Sequence, residues 1–263
     1  MITFHKAARC IQGLLALFMM TASLSVSAQD AVGGNARQAF PQDIEGYWVS
    51  LVTEDWRYRM MSAPAGDFEG INLTQPGRDL AEAWDPQADA AAGEACRAYG
   101  AGGAMRYPTR LHISWAEDNV LQIDTDKGQQ TRLLKFGAAQ DNEGAGSWQG
   151  VSQATLNLYG PAGAQSGRID VVTSQMRPGY IRRNGVPYSA QALITEYFSM
   201  VTEEDGSEYL IVVSELEDPV FLQAPVLRST TFLKESDASK WDPSECISGR
   251  LLREPLGPPR ERF

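Results

Sequence analysis

The stretch AQALITEYFSMVTEEDGSEYLIVVSEL, residues Ala190–Leu216, decides the fold. Two runs rich in β-branched and aromatic residues, Ala190–Thr202 and Glu208–Leu216, flank the polar link Glu203-Glu204-Asp205-Gly206. Such runs favour extended backbone, and a short Gly-bearing link joins antiparallel neighbours. The segment therefore predicts a β-hairpin. Alternation puts Ala190, Ala192, Ile194, Glu196, Phe198 and Met200 on one face of its first arm, apolar except for Glu196.

Outward from this hairpin the pattern repeats at Gly46–Glu54, Arg110–Trp115, Val120–Asp126, Gln129–Phe136, Trp148–Tyr159, Arg168–Met176 and Val226–Glu235. Turn chemistry separates several of these runs, as at Glu117-Asp118-Asn119 and Asp126-Lys127-Gly128. About nine strands with short connections predict an all-β, antiparallel meander, closed as a barrel or split into a two-sheet sandwich. One helical insertion interrupts it after the first strand. Thr74–Asp79 leads into Leu80–Trp84, and Asp85-Pro86 offers an N-cap and a first-turn proline for a helix over 87–97.

The chain ends read differently. Lys6 and Arg9 precede the apolar run Ile11–Leu24, and Val26-Ser27-Ala28 supplies small residues for cleavage. Residues 1–28 are therefore expected to be a signal peptide, too short in its apolar part for a comfortable membrane span. Residues 29–42 read as a linker, 43–246 as the barrel domain and 247–263 as a disordered Pro- and Arg-rich tail. The expected destination is the periplasm or the exterior, and nothing later in the mature chain is apolar for long enough to span a bilayer. Two cysteines remain beyond the signal, Cys96 and Cys246. In an oxidising compartment an even pair reads as one disulfide, worth roughly 4 kcal/mol in the loop-entropy view; two free thiols are the other reading.

The formal charge is −10, and −12 once Lys6 and Arg9 are removed (21 Lys+Arg against 33 Asp+Glu). A field of that sign disfavours nucleic acid as a partner. The mature chain holds a single histidine, His112, so a multi-histidine zinc site is excluded, and no metal or cofactor is expected. There is no nucleophile elbow, H-E-x-x-H, P-loop or G-x-G-x-x-G. Asp124–Gly128 imitates the start of a calcium loop but lacks the later carboxylates, and reads as a turn.

Against this acidic background stands Met176–Ser189, with Arg177, Arg182 and Arg183, Tyr180 and Tyr188, two prolines and an Asn184-Gly185 turn signal. Arginine reads carboxylates and phosphates in a planar fork, and tyrosine adds an amphipathic anchor. The loop is either an anion-capturing mouth or a solvated hairpin tip. Glu196 is either a cavity acid or base, a buried Glu–Arg partner, or turned outward by a slip of the pleat. His112 shares a polar face with Arg110 and Ser114. Thr53–Arg59 mixes charges with aromatics, as a barrel mouth or a surface ion-pair cluster does.

Gly46-Tyr47-Trp48 matches the G-x-W that opens lipocalin barrels. Longer runs are similar to an uncharacterised family of secreted bacterial proteins: Ser147–Gly150, Arg177–Tyr180, Arg182–Pro187, Thr195–Phe198 and Glu217–Pro219. The resemblance spans Gly46 to Lys234 and implies a calycin-type, lipocalin-like barrel; it brings no activity with it. The long helical insertion and the lack of an evident C-terminal helix depart from lipocalins. The expected function is an exported soluble protein that binds a small, partly apolar, anionic ligand in the barrel cavity. Arg177, Tyr180, Arg182, Arg183 and Tyr188 would contact that ligand. Two alternatives stand beside it: a cofactor-free isomerase, lyase or hydrolase using Glu196 with Tyr188 or His112, and a protein-interaction module.

Overall fold

The structure, a computed structural model, describes residues 35–61, 63–137, 144–161 and 164–248. The expected signal peptide, the first part of the expected linker and the expected tail beyond residue 248 lie outside the described residues. Each of the nine expected runs is a strand, and the nine close into a barrel. In chain order the strands are β1 (Gly46–Leu51), β2 (Arg110–Glu117), β3 (Val120–Thr125), β4 (Thr131–Phe136), β5 (Val151–Tyr159) and β6 (Ser166–Ser174). There follow β7 (Gly179–Arg182) and β8 (Val186–Tyr188), a separate two-stranded hairpin, then β9 (Leu193–Thr202), β10 (Glu208–Glu217) and β11 (Val226–Glu235).

Around the ring the order is β1-β11-β10-β9-β6-β5-β4-β3-β2. A closed ring of antiparallel neighbours needs an even number of strands, so nine must contain a parallel pair. That pair is β4 with β5, and the other eight contacts are antiparallel. Parallel neighbours require a long return connection, which residues 137–150 provide. The β9–β10 hairpin pairs Leu193 with Glu217 through to Thr202 with Glu208, and Gly206 sits at φ +86 in its turn. Only glycine enters that region without steric cost.

The interior is apolar and filled. Trp48, Leu111, Ile123, Leu134, Phe198 and Phe232, all essentially inaccessible to solvent, belong to one packed core. One barrel end is plugged by α1 (Ala36–Ala39), Phe40 and Ile44, whose carbonyl accepts from Trp48 Nε1 at 3.0 Å. This revises the loose linker expected up to residue 42. Asn35 caps α1 by accepting from the Gln38 N–H at 3.1 Å, and Ala36 N donates to Asn119 Oδ1 at 2.8 Å. Ala36 and Phe40 then bury their side chains where a small polar composition suggested none would go.

The opposite end is capped by the insertion and the β7–β8 hairpin. The insertion holds α2 (Trp56–Arg59), α3 (Gln75–Glu82), α4 (Pro86–Ala91), a 3-10 turn (Ala95–Tyr99) and α5 (Ala101–Ala104). Thr74 caps α3 and Asp85 caps α4, each accepting a backbone N–H with proline in the first turn. The helix expected over 87–97 breaks at Gly93, φ +74, and resumes as the 3-10 turn. A second apolar core, including Leu73, Ile181, Val186, Tyr188 and Leu222, glues this cap to the barrel rim. Cys96 and Cys246 are joined in a disulfide, and Gln130 Nε2 faces both sulfurs at 3.8 and 3.6 Å. Among the described residues no helix is long and apolar enough to cross a membrane.

Candidate functional site

Glu196 points into the barrel and is buried, as its phase with Ile194 and Phe198 requires. Of the readings open for it, the buried Glu–Arg pair is the one realised: Arg132 of β4 donates from Nη2 to Glu196 Oε2. The same guanidinium donates from Nε to Ser152 Oγ at 3.0 Å and from Nη2 to Thr173 Oγ1 at 2.6 Å. An ionised pair at this depth persists only with such added hydrogen bonds. The void beside Glu196 has a volume of about 10 Å³, room for at most a water molecule.

The other acid–base candidates lie in different surroundings. His112 is on the outer barrel face, stacked on Tyr47 at 4.5 Å between ring centres, with Asp124 Oδ2 at 3.8 Å and Trp241 edge-on. Tyr188 is fully buried in a concavity made by Gly100, Gly102 and Gly179. A methyl on Gly102 would sit 2.6 Å from Tyr188 Cε1, so glycine there is a packing requirement. Burial pushes the Tyr188 hydroxyl well above the usual tyrosine range. Among the described residues no hydrogen bond joins any two of Glu196, Tyr188 and His112.

The five residues expected to hold an anion are dispersed. Arg177 is exposed, paired with Glu94 and lying 4.4 Å over the Trp148 ring. Trp148 is accordingly only half-buried, at the surface of the cap. Tyr180 is buried beneath the cap; burial, then its 2.8 Å hydrogen bond to Asp89 Oδ2, raises its hydroxyl. Arg97 lies over the same ring and pairs with Asp89 at 3.0 Å, so Tyr180 belongs to a closed structural cluster. Arg182 and Arg183 remain, both buried, with no carboxylate within ion-pair distance among the described residues.

Arg182 opens onto a cleft of about 560 Å³ at the seam between cap and barrel. Its guanidinium lies 3.8 Å over the Tyr58 ring and its Nη2 donates to the Glu69 carbonyl at 2.8 Å. Arg106 from the insertion and Arg228 from β11 face the same cleft. Thr53–Arg59 forms one wall, so the mixed cluster noted in the sequence stands at the barrel mouth and is also an ion-pair network. Glu54 holds Arg59 and Arg106 at 2.7 and 2.9 Å, while Asp55 holds Arg106 and Arg228 at 2.8 and 3.4 Å. Asp55 has φ 51 and makes no side-chain cap to α2, which leaves its carboxylate for these arginines.

Three guanidiniums thus share two carboxylates, and Arg182 adds a fourth cation. Burial, reinforced by the charges of Arg182 and Arg106, brings the Arg228 guanidinium down to about 10. It remains charged at neutral pH, in a cleft lined by Arg57, Arg106, Arg182 and Arg228 and by Glu54, Asp55 and Glu69, an excess of one cation. The opposite wall, Pro225, Val226 and Leu227, is apolar. Arg228 and Arg132 were legible in principle. Each is in phase with inward apolar residues of its strand, Val226 and Phe232 for the one, Leu134 and Phe136 for the other. Arg59 and Arg106 sit in the insertion, where no period marks a buried face.

No family model, curated protein or solved structure matches this chain. The class defined by its own geometry is a closed, apolar-filled β-barrel bearing an arginine-rich cap. Among the described residues no cluster of His, Cys, Asp and Glu is arranged to hold a metal ion.

Proposed function

We propose that this is an exported binding protein for a small, partly apolar organic anion, received in the cleft between cap and barrel. The observation that carries the reading is the convergence of Arg106, Arg182 and Arg228 on one cleft of about 560 Å³ in a protein of charge −10. That volume falls within the roughly 300–1,000 Å³ of small-molecule sites. A carboxylate or phosphate would lie against the cationic edge that Arg106, Arg182 and Arg228 give the cleft, and the apolar remainder would lie along Val226 and Leu227. The expected lumen site is replaced by a mouth site, because the barrel interior is occupied by its own side chains. The cap holds the cationic side chains by packing and ion pairs before any ligand arrives, which lowers the ordering cost of binding.

Export rests on the apolar leader of the sequence and agrees with the Cys96–Cys246 disulfide. The proposal is tested by thermal shift against a panel of fatty acids, aromatic carboxylates and organic phosphates, comparing wild type with Arg182→Gln/Arg228→Gln. A ligand that stabilises the wild type and loses at least tenfold in affinity for the variant supports the cleft. An equal response of both proteins removes it.

A further inference from the structure

Beneath the floor of the cleft lies a second, smaller space of about 20 Å³. Five arginines border it, Arg59, Arg106, Arg182, Arg183 and Arg228, and no carboxylate does. Glu54 and Asp55 reach three of these arginines from the cleft side, outside this space. Several buried nitrogens have no hydrogen-bond partner among the described residues: Nε and Nη1 of Arg182, Nη1 of Arg183, and Nε of Arg106 and of Arg228. Arg106, Arg182 and Arg183 are each more than nine-tenths buried, at 9%, 8% and 7% of full exposure. Arg183 spends its Nη2 on the Arg59 carbonyl and lies 4.7 Å over the Tyr107 ring.

We infer that this space is a site for one monoatomic anion, chloride, held by Arg182 and Arg183 with Arg106 and Arg228. A buried positive charge must be paired, and arginine cannot escape the requirement by losing its proton. The donors in excess here are charged N–H groups, so the missing partner is an acceptor bearing negative charge. A space of this size holds one water-sized particle, which excludes a carboxylate, phosphate or sulfate. Water fits but offers two acceptor sites and no charge, whereas a halide accepts from all sides. The neighbouring cleft admits larger anions, so the two sites differ by size. Arg183, Arg59 and Tyr107 border only the inner space, and this inference therefore stands or falls separately from the cleft reading.

Two measurements test it. Crystals of the mature protein grown in sodium bromide, with data collected at the bromine edge, should show an anomalous peak in contact with Arg182 and Arg183. In solution, replacing sodium gluconate with sodium chloride at equal ionic strength should raise the melting temperature by about 2–4 °C, saturably. Arg183→Met should abolish that chloride dependence while leaving the response to organic anions at the cleft. If Arg183→Met does not fold, the bromide map of the wild type decides. A void holding water alone, a bromide peak confined to the outer cleft, or equal melting in chloride and gluconate overturns the inference.

Discussion

The barrel and its cap spend buried volume in opposite ways. Inside the barrel, alternating strands deliver apolar side chains to one packed core, and the polar intrusion centred on Glu196 and Arg132 is neutral as a pair, with Ser152 and Thr173 as further acceptors and Arg132 Nη1 left without a partner among the described residues. In the cap, buried arginines outnumber the carboxylates that reach them, and several of their nitrogens have no hydrogen-bond partner among the described residues. A closed ion pair compensates its own buried charges and offers nothing to a ligand. Uncompensated cations cost stability and are worth holding only where an anion arrives. The difference is what directs the proposed binding site to the mouth rather than to the lumen.

The sharpest test of this contrast is in the barrel. Arg132→Met strands the Glu196 carboxylate and is expected to cost about 3–5 kcal/mol by urea denaturation. Arg132→Met with Glu196→Leu should regain most of that loss, since both charges then leave together. Failure of the double variant to recover would mean that the pair does more than fill space. Next in size is the strap across the cap. Cys96→Ala/Cys246→Ala should lower stability by about 2–5 kcal/mol, with limited proteolysis cutting within residues 84–104 before any strand. Gly102→Ala tests the seat of Tyr188, where the added methyl meets the ring, and is expected to cost about 1–3 kcal/mol. The smallest effect is expected outside the barrel. Arg168 pairs with Asp170 at 2.6 Å on an exposed face, and Arg168→Gln should change stability by less than about 1 kcal/mol.

The same contrast explains what the sequence could disclose. Strands announce themselves because a half-buried sheet imposes a two-residue period, and the runs from Gly46 to Glu235 carry it. The Cys96–Cys246 link followed from pair counting in a chain whose first residues read as an export signal. The strand pattern alone left barrel and sandwich open, and the lipocalin-like Gly46-Tyr47-Trp48 start is what favoured the barrel that forms, since closure depends on β1 pairing with both β2 and β11, a property of no single segment. The arginine loop was visible as a cluster, yet adjacency in sequence misled. Arg177 and Arg182 leave the β7 hairpin on different sides, one to Glu94 and Trp148, the other to Tyr58. Arg106 and Arg228, which meet Arg182 at the cleft, are distant in the chain and flanked by ordinary strand and loop residues. Their convergence is tertiary information.

The parallel pair forced by an odd strand count has a mechanical consequence. The β4–β5 ladder joins only Leu134 to Ser152, Lys135 to Gln153 and Phe136 to Ala154, fewer rungs than any other joint of the ring. Under load or transient opening the hoop should part there first, leaving a curled sheet with β4 and β5 as its two free edges. Arg132 and Glu196 straddle that seam from the inside, one on β4 and the other two strands beyond β5. The ion pair then acts as a rivet across the weakest stitch of the hoop. Amides of residues 134–136 and 152–154 should exchange with solvent sooner than those of β9 and β10, and sooner still once the rivet is cut.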